Sequence, residues 1–220
     1  MPIVISLRKE FSSSVFRDAI IRALSAPGIT RAYIASGFFE DFTRELQKYA
    51  GDFQFGPAME GKQIYLFGGY DREKAEVDLL ALRSALQAIN LQVETRLPKQ
   101  PSGDNEPELI WHAKIAVFLD KDGPVLAIVG SSNFTARSMY GPSEEYFVRS
   151  IQKVNVEADT YFWKKGCADA SDVMDRALHA WGNPKRKRIA FDDSKFDEEV
   201  SILIEQACES ILNFEWHEIP

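Results

Sequence analysis

Residues Trp111 to Asn133 read WHAKIAVFLDKDGPVLAIVGSSN, and the patterning of this stretch decides the fold. Two apolar, β-rich runs, Leu109 to Leu119 and Val125 to Val129, flank DKDGP, and glycine and proline between two such runs signal a β-hairpin. His112 and Lys114 are two residues apart in the first run, so they share one face while Ala113 and Ile115 take the other. The return run ends in Gly130-Ser131-Ser132-Asn133, just before a helical stretch expected near Phe134. Hydroxyls, a carboxamide and unbonded backbone N–H groups are therefore expected together at a helix start. Antiparallel pairing across the hairpin brings that end close to His112 and Lys114.

Outward from the hairpin, β-rich runs alternate with helical patterns. Ile3 to Leu7 predicts a first strand. Phe16, Ile20, Ala23 and Leu24 then recur at helical spacing until Pro27-Gly28. Ile29 to Phe39 predicts a buried strand, and Phe42, Leu46 and Tyr49 a short helix closed by Gly51. Gln63 to Phe67 predicts a strand, Ala75 to Ile89 a long helix with one apolar stripe, and Leu91 to Leu97 another strand. Pro98 to Glu108 reads as a loop. Beyond the hairpin the expectation is a strand at Tyr146 to Ile151, a helix from about Ser171 to Trp181, and a basic break, NPKRKR. A last amphipathic helix carries Phe196, Val200, Leu203, Ala207, Ile211 and Phe214, with Ser194 at its start. The alternation predicts the α/β class, a mixed β-sheet flanked by helices on both faces. One domain over 1–182 is expected, with 183–220 as a helical extension packed on it, because about 30 residues are too few to fold alone.

The chain has 220 residues, 45% apolar, with 26 Lys plus Arg against 33 Asp plus Glu and a net charge of -7. That composition excludes disorder and argues against holding nucleic acid by bulk positive charge, while leaving room for a local basic groove. The two cysteines, Cys167 and Cys208, are too few for a disulfide framework and lack paired zinc spacing, which points to a reducing, cytoplasmic setting. No stretch has the length of a membrane span, and MPIVISLRKEF does not read as a signal peptide. The absence of GxxxxGK[ST], HExxH and GxGxxG removes support for nucleotide hydrolases, zinc proteases and dinucleotide enzymes.

An imidazole, an ammonium, a hydroxyl and a carboxamide at one strand end suit a phosphate ester. His112 is a candidate nitrogen nucleophile, and Lys114, Asn133 and Ser131 are candidates to stabilise the phosphoryl oxygens. Glu144 is expected to open the next strand and to accept a hydrogen bond from His112, fixing its tautomer.

HAK followed by GSSN and a later acid resembles the HxK…GSxN signature of the phospholipase D superfamily of phosphodiesterases. The resemblance covers Ile3 to about Ile151 and includes the RAYIASGFF lead-in, with NFT and EEYFV similar to the family's single-motif nucleases. It implies a phospholipase D-like α/β sandwich, a phosphohistidine on His112, phosphate binding by Lys114, Ser131 and Asn133, Gly130 as the motif glycine and Glu144 as the downstream acid. The family's aspartate five residues after the lysine is replaced by Leu119, and Asp120 is left out of the site. The resemblance also implies that no metal ion or other cofactor is needed. It further implies a second motif histidine as general acid and base. His179 and His217 lack the lysine spacing, so the chain is expected to form a homodimer with one shared site.

The expected function is a metal-independent phosphodiesterase, an endonuclease whose partner is nucleic acid, DNA ahead of RNA, with no membrane role. Ser132, Gly130 and Arg137 are expected substrate contacts. The KRKR run, Lys185 to Arg188, is either a solvated loop or a backbone contact. Two alternatives are a phospholipid phosphodiesterase and a nucleic-acid-binding or assembly module without turnover.

Overall fold

A computed structural model describes residues 3–8, 15–40, 60–69, 72–100, 110–135, 138, 157–179, 188–191 and 197–219. The elements run β1 (Ile3–Arg8), α1 (Val15–Ser25), β2 (Arg31–Ser36), β3 (Gln63–Gly68), α2 (Arg72–Gln87), β4 (Gln92–Pro98), β5 (Lys114–Leu119), β6 (Pro124–Gly130), β7 (Glu157–Trp163), α3 (Ala168–His179), β8 (Arg188–Phe191), α4 (Asp197–Leu212) and β9 (Trp216–Glu218). The strands form one nine-stranded sheet in the order β8-β1-β7-β6-β5-β2-β3-β4-β9. Parallel pairing joins β2 to β3 and β3 to β4, and the remaining pairs are antiparallel. The expected mixed α/β class is the observed one.

Side-chain alternation divides the sheet into two cores. Ala32, Ile34, Ile64, Leu66, Ala116, Phe118, Ile128, Tyr161 and Trp163 meet the apolar stripes of α1, α2 and α3 on one face. Tyr33, Phe67, Ile115, Val117 and Ala127 meet Val200, Ile204, Cys208 and Ile211 of α4 on the other. Helices therefore cover both faces. The central strand β5 is buried along its whole length, which is what a continuous apolar run between two helical layers requires.

The DKDGP turn closes the β5–β6 hairpin. Gly123 has φ +137, a backbone region that side chains disfavour. Asp120 Oδ1 accepts the amides of Asp122 (2.8 Å) and Gly123 (3.0 Å), so Asp120 shapes the turn, away from Lys114 at the other end of β5.

Several boundaries differ from expectation. The first hairpin strand begins at Lys114, leaving His112 and Ala113 as irregular backbone ahead of it. The strand beside β6 is Glu157–Trp163, which sequence periodicity leaves unassigned. The expected strand at Tyr146 to Ile151, the short helix around Phe42 to Tyr49, and Ser194 all lie outside the described residues. The segment 183–220 is not only helical. Its β8 and β9 form the two edges of the sheet, and Arg188 of the KRKR run opens β8.

At the end of the sheet where β3 begins, Lys62 is 7% exposed. Its Nζ donates to the Ala26 carbonyl. Burial lowers its pKa from 10.5 to about 8, with Asp169 opposing the shift. A folded pKa below the unfolded one means the unfolded chain binds more protons between pH 8 and 10.5, so stability rises with pH across that window. Denaturant melts are expected to gain roughly 1–3 kcal/mol from pH 8 to 10 in the wild type relative to Lys62→Met. Parallel pH profiles for the two proteins would contradict the assignment.

Candidate active site

Pairing in the β5–β6 hairpin sets Lys114 directly opposite Gly130. Lys114 is 9% exposed. Its ammonium turns back along the chain, donates to His112 O at 2.7 Å, and lies 3.4 and 3.3 Å from His112 Nδ1 and Nε2. His112 itself is exposed. Gly37, just past β2, lies against this segment, and a Cβ there would meet Trp111 O and His112 Cδ2 at ordinary contact distances of 3.4 and 3.5 Å. Trp111 stays out of the site, with its ring packed on Phe214 and Trp216 at 5.1 and 5.3 Å.

The GSSN turn is built by β7. Ser131 N donates to Ala158 O (3.0 Å), while Ser131 Oγ accepts the Ala158 amide (2.9 Å) and donates to Glu157 Oε2 (2.5 Å). Ser132 N and Oγ both donate to the Asp159 carboxylate, at 3.1 and 2.7 Å. One expectation is corrected here: the amides of Ser131 and Ser132 are not free N–H groups at a helix start, because β7 accepts both. The helical stretch expected near Phe134 is represented by Ser138, whose amide donates to Thr135 Oγ1 at 3.3 Å, the arrangement of a helix cap. Phe134 itself bridges to Phe39, and its carbonyl accepts Glu40 N at 2.9 Å. Phe134 also packs on Phe16 of α1 and on Phe39, at 5.1 and 5.8 Å, which ties the exit of the turn to the helical layer.

Gly130 is required by sterics. A Cβ at this position would lie 2.2 Å from Asp159 Oδ1, 2.5 Å from Ala158 O and 2.7 Å from Asp159 Cα. The carboxylate that anchors Ser132 occupies the space a side chain would need.

The contacts fall into three sets: Lys114 with His112, Ser131 and Ser132 with Glu157 and Asp159, and Asn133 with Ser36. Asn133 Oδ1 stands 3.2 Å from Ser36 Oγ. Glu157 and Asp159 are 8% and 4% exposed. Burial lowers the Lys114 pKa below the usual lysine value, and the neighbouring Glu157 charge partly restores it. Arg137, Glu144 and Lys185 to Lys187 lie outside the described residues. Among the described residues no group of three or more His, Cys, Asp and Glu side chains gathers as metal ligands do.

Sequence reasoning missed Glu157, Asp159 and Ser36. The available signal was the Glu-x-Asp spacing on an otherwise alternating strand, which puts both acids on one face. Ser36 carried no signal beyond its place at the end of a β-rich run.

No family model and no curated protein matches the chain. Among solved structures it is similar to NucT from Helicobacter pylori, at 14% identity and a TM-score of 0.36, over 74% of this chain and 88% of that one. Polyphosphate kinase from Porphyromonas gingivalis is similar at 14% identity and a TM-score of 0.41, over 95% of this chain. Phosphatidylserine synthase from Haemophilus influenzae Rd KW20 is similar at 13% identity and a TM-score of 0.38, over 94% of this chain. The chain spans 31% of the kinase and 46% of the synthase. At these scores the likenesses are distant.

Proposed function

We propose that the chain is a phosphodiesterase of the phospholipase D type, acting on nucleic acid as an endonuclease, DNA ahead of RNA. The observation that carries this reading is the contact of the buried Lys114 with His112, its ammonium 3.3–3.4 Å from the ring nitrogens, at the strand end that Asn133 follows in sequence. An imidazole nitrogen attacks phosphorus. A P–N bond forms, the P–O bond to the leaving group breaks, and the departing oxygen takes a proton from a general acid. Water then attacks the phosphohistidine and breaks the P–N bond, restoring the ring. Lys114 and the Asn133 amide offset the charge that gathers on the phosphoryl oxygens. Ser131, whose proton is directed to Glu157, supports the turn rather than the anion.

A single imidazole performs attack but leaves the acid unassigned. A homodimer with a two-fold axis at the site supplies the same histidine from a second copy. Arg137, four residues past Asn133, is proposed as a contact to the nucleic-acid strand, and Glu144 remains a proposed site residue beside Glu157. The reading makes the chemistry independent of metal ions and cofactors. Among the described residues no helix is long and apolar enough to cross a membrane.

Labelled DNA, RNA and phosphatidylcholine, incubated separately with the protein in excess EDTA, test the reading. Nucleic-acid cleavage, with a dimer by sedimentation, is the expected result. Turnover of the lipid alone would reject the nuclease assignment, and full activity from a strict monomer would reject the shared site.

Glu157→Gln probes the charge behind Lys114. Removing the carboxylate leaves desolvation of the amine unopposed, so Lys114 loses its proton at lower pH than in the wild type. The alkaline limb of tungstate affinity, followed against pH, is expected to be displaced toward acid. A limb unmoved or displaced toward alkali would mean that Glu157 does not act on Lys114.

A further inference from the structure

Ser36 is the last residue of β2 and is fully buried, at 0% exposure. The Ala35–Ile115 pair of β2 with β5 places Ser36 one step further on, level with Lys114. Alternation from Ala32 and Ile34 on β2, and from Ala116 and Phe118 on β5, sends both side chains to the face packed by α1, α2 and α3. Ser36 is therefore a polar side chain set into the floor of the site.

Its hydroxyl, with one proton to give, has two acceptors in reach, Phe38 O at 2.9 Å and Asn133 Oδ1 at 3.2 Å, and it accepts Phe38 N at 3.4 Å. The backbone fixes this geometry. The segment leaving β2 runs beside the segment leaving the GSSN turn, with the Phe39–Phe134 bridge and the Glu40 N to Phe134 O bond joining them. Ser36 and Asn133 are thus held together by main-chain contacts that depend on neither side chain.

A carboxamide presents an acceptor on one side and two donors on the other. Turned one way it repels a phosphate oxygen, and turned the other way it binds one. The Ser36 proton, given to Oδ1 in place of Phe38 O, selects the second orientation, because Nδ2 is then the end turned away from Ser36.

We infer that Ser36 is a positioning residue of the anion site, holding Asn133 Oδ1 so that Nδ2 is committed to the phosphoryl oxygens. The inference rests on the phosphodiester reading of the site, but it concerns anion binding and is measured without turnover.

Calorimetric titration of inorganic tungstate into the wild type, Ser36→Ala, Asn133→Ala and the double variant forms a cycle. Each single variant is expected to bind about tenfold more weakly, the loss of one hydrogen bond. The double variant is expected to bind no more weakly than Asn133→Ala, since Ser36 acts only through Asn133. A general packing role for Ser36 would instead multiply the two losses. Ser36→Cys keeps the volume with a weaker donor and is expected to fall between wild type and alanine, which covers the case where Ser36→Ala does not fold. Wild-type affinity in Ser36→Ala, or multiplied losses in the double variant, overturns the inference while leaving the nuclease reading intact. Failure of the wild type to bind tungstate overturns both. Tungstate binding with coupled losses but no cleavage of any phosphodiester keeps Ser36 and removes only the nuclease reading.

Discussion

His112→Ala is expected to lower phosphodiester cleavage by roughly 10³- to 10⁶-fold, the range seen when a covalent nucleophile is removed. Among the described residues, the groups beside it are committed elsewhere. The Lys114 ammonium donates to His112 O, and the Ser131 hydroxyl donates to Glu157. Because Lys114 and Asn133 remain, tungstate binding is expected to weaken only several-fold, which separates loss of chemistry from loss of the anion site. Substrate labelled at the scissile phosphorus, quenched during turnover, should leave an acid-labile adduct on His112 in the wild type and none in the variant. Undiminished cleavage by the variant, or an adduct at another residue, would remove His112 from the proposed mechanism.

The second large effect is steric. Gly130→Ala drives a methyl group into a carboxylate, a carbonyl and a Cα at 2.2, 2.5 and 2.7 Å, and two of those atoms belong to the backbone of β7, which has no rotamer to adjust. Overpacking of this kind costs about 3 kcal/mol, and in a chain of this size that lowers Tm by about 6–12 °C. Differential scanning fluorimetry measures it. A Gly130→Ala protein melting with the wild type would show that β7 does not lie against the turn in this way.

The hairpin was legible because its signals are local. Turn residues sit between two apolar runs, and the pairing that brings Lys114 opposite Gly130 follows from strand geometry once the turn is placed. The candidate side chains were legible for the same reason, as His112, Lys114 and the GSSN turn lie within or next to one hairpin. β7 was hidden by its own function. It alternates, but Glu157 and Asp159 occupy the first two inward positions, and acids at buried positions erase the apolar half of a period-two pattern. The same burial makes them partners of Ser131 and Ser132. β8 and β9, of four and three residues, are too short for periodicity to detect, and both are edge strands whose pairing depends on distant segments. Ser36 could not be read as part of a site, because its role comes from β2 lying beside β5, a contact between residues 97 positions apart in the case of Asn133.

The sheet order gives the protein a particular order of assembly. The strands that carry the site, β5, β6 and β7, lie inside the sheet, while the outermost positions at both ends belong to β8 and β9 from the last part of the chain. During synthesis the site strands emerge while β1 and β4 still present unpaired N–H and C=O groups. A chain halted after α3 would have a near-complete site on a sheet with two open edges, each a template for another strand. The C-terminal segment is thus a closing device whose two short strands guard β1 and β4 against aggregation.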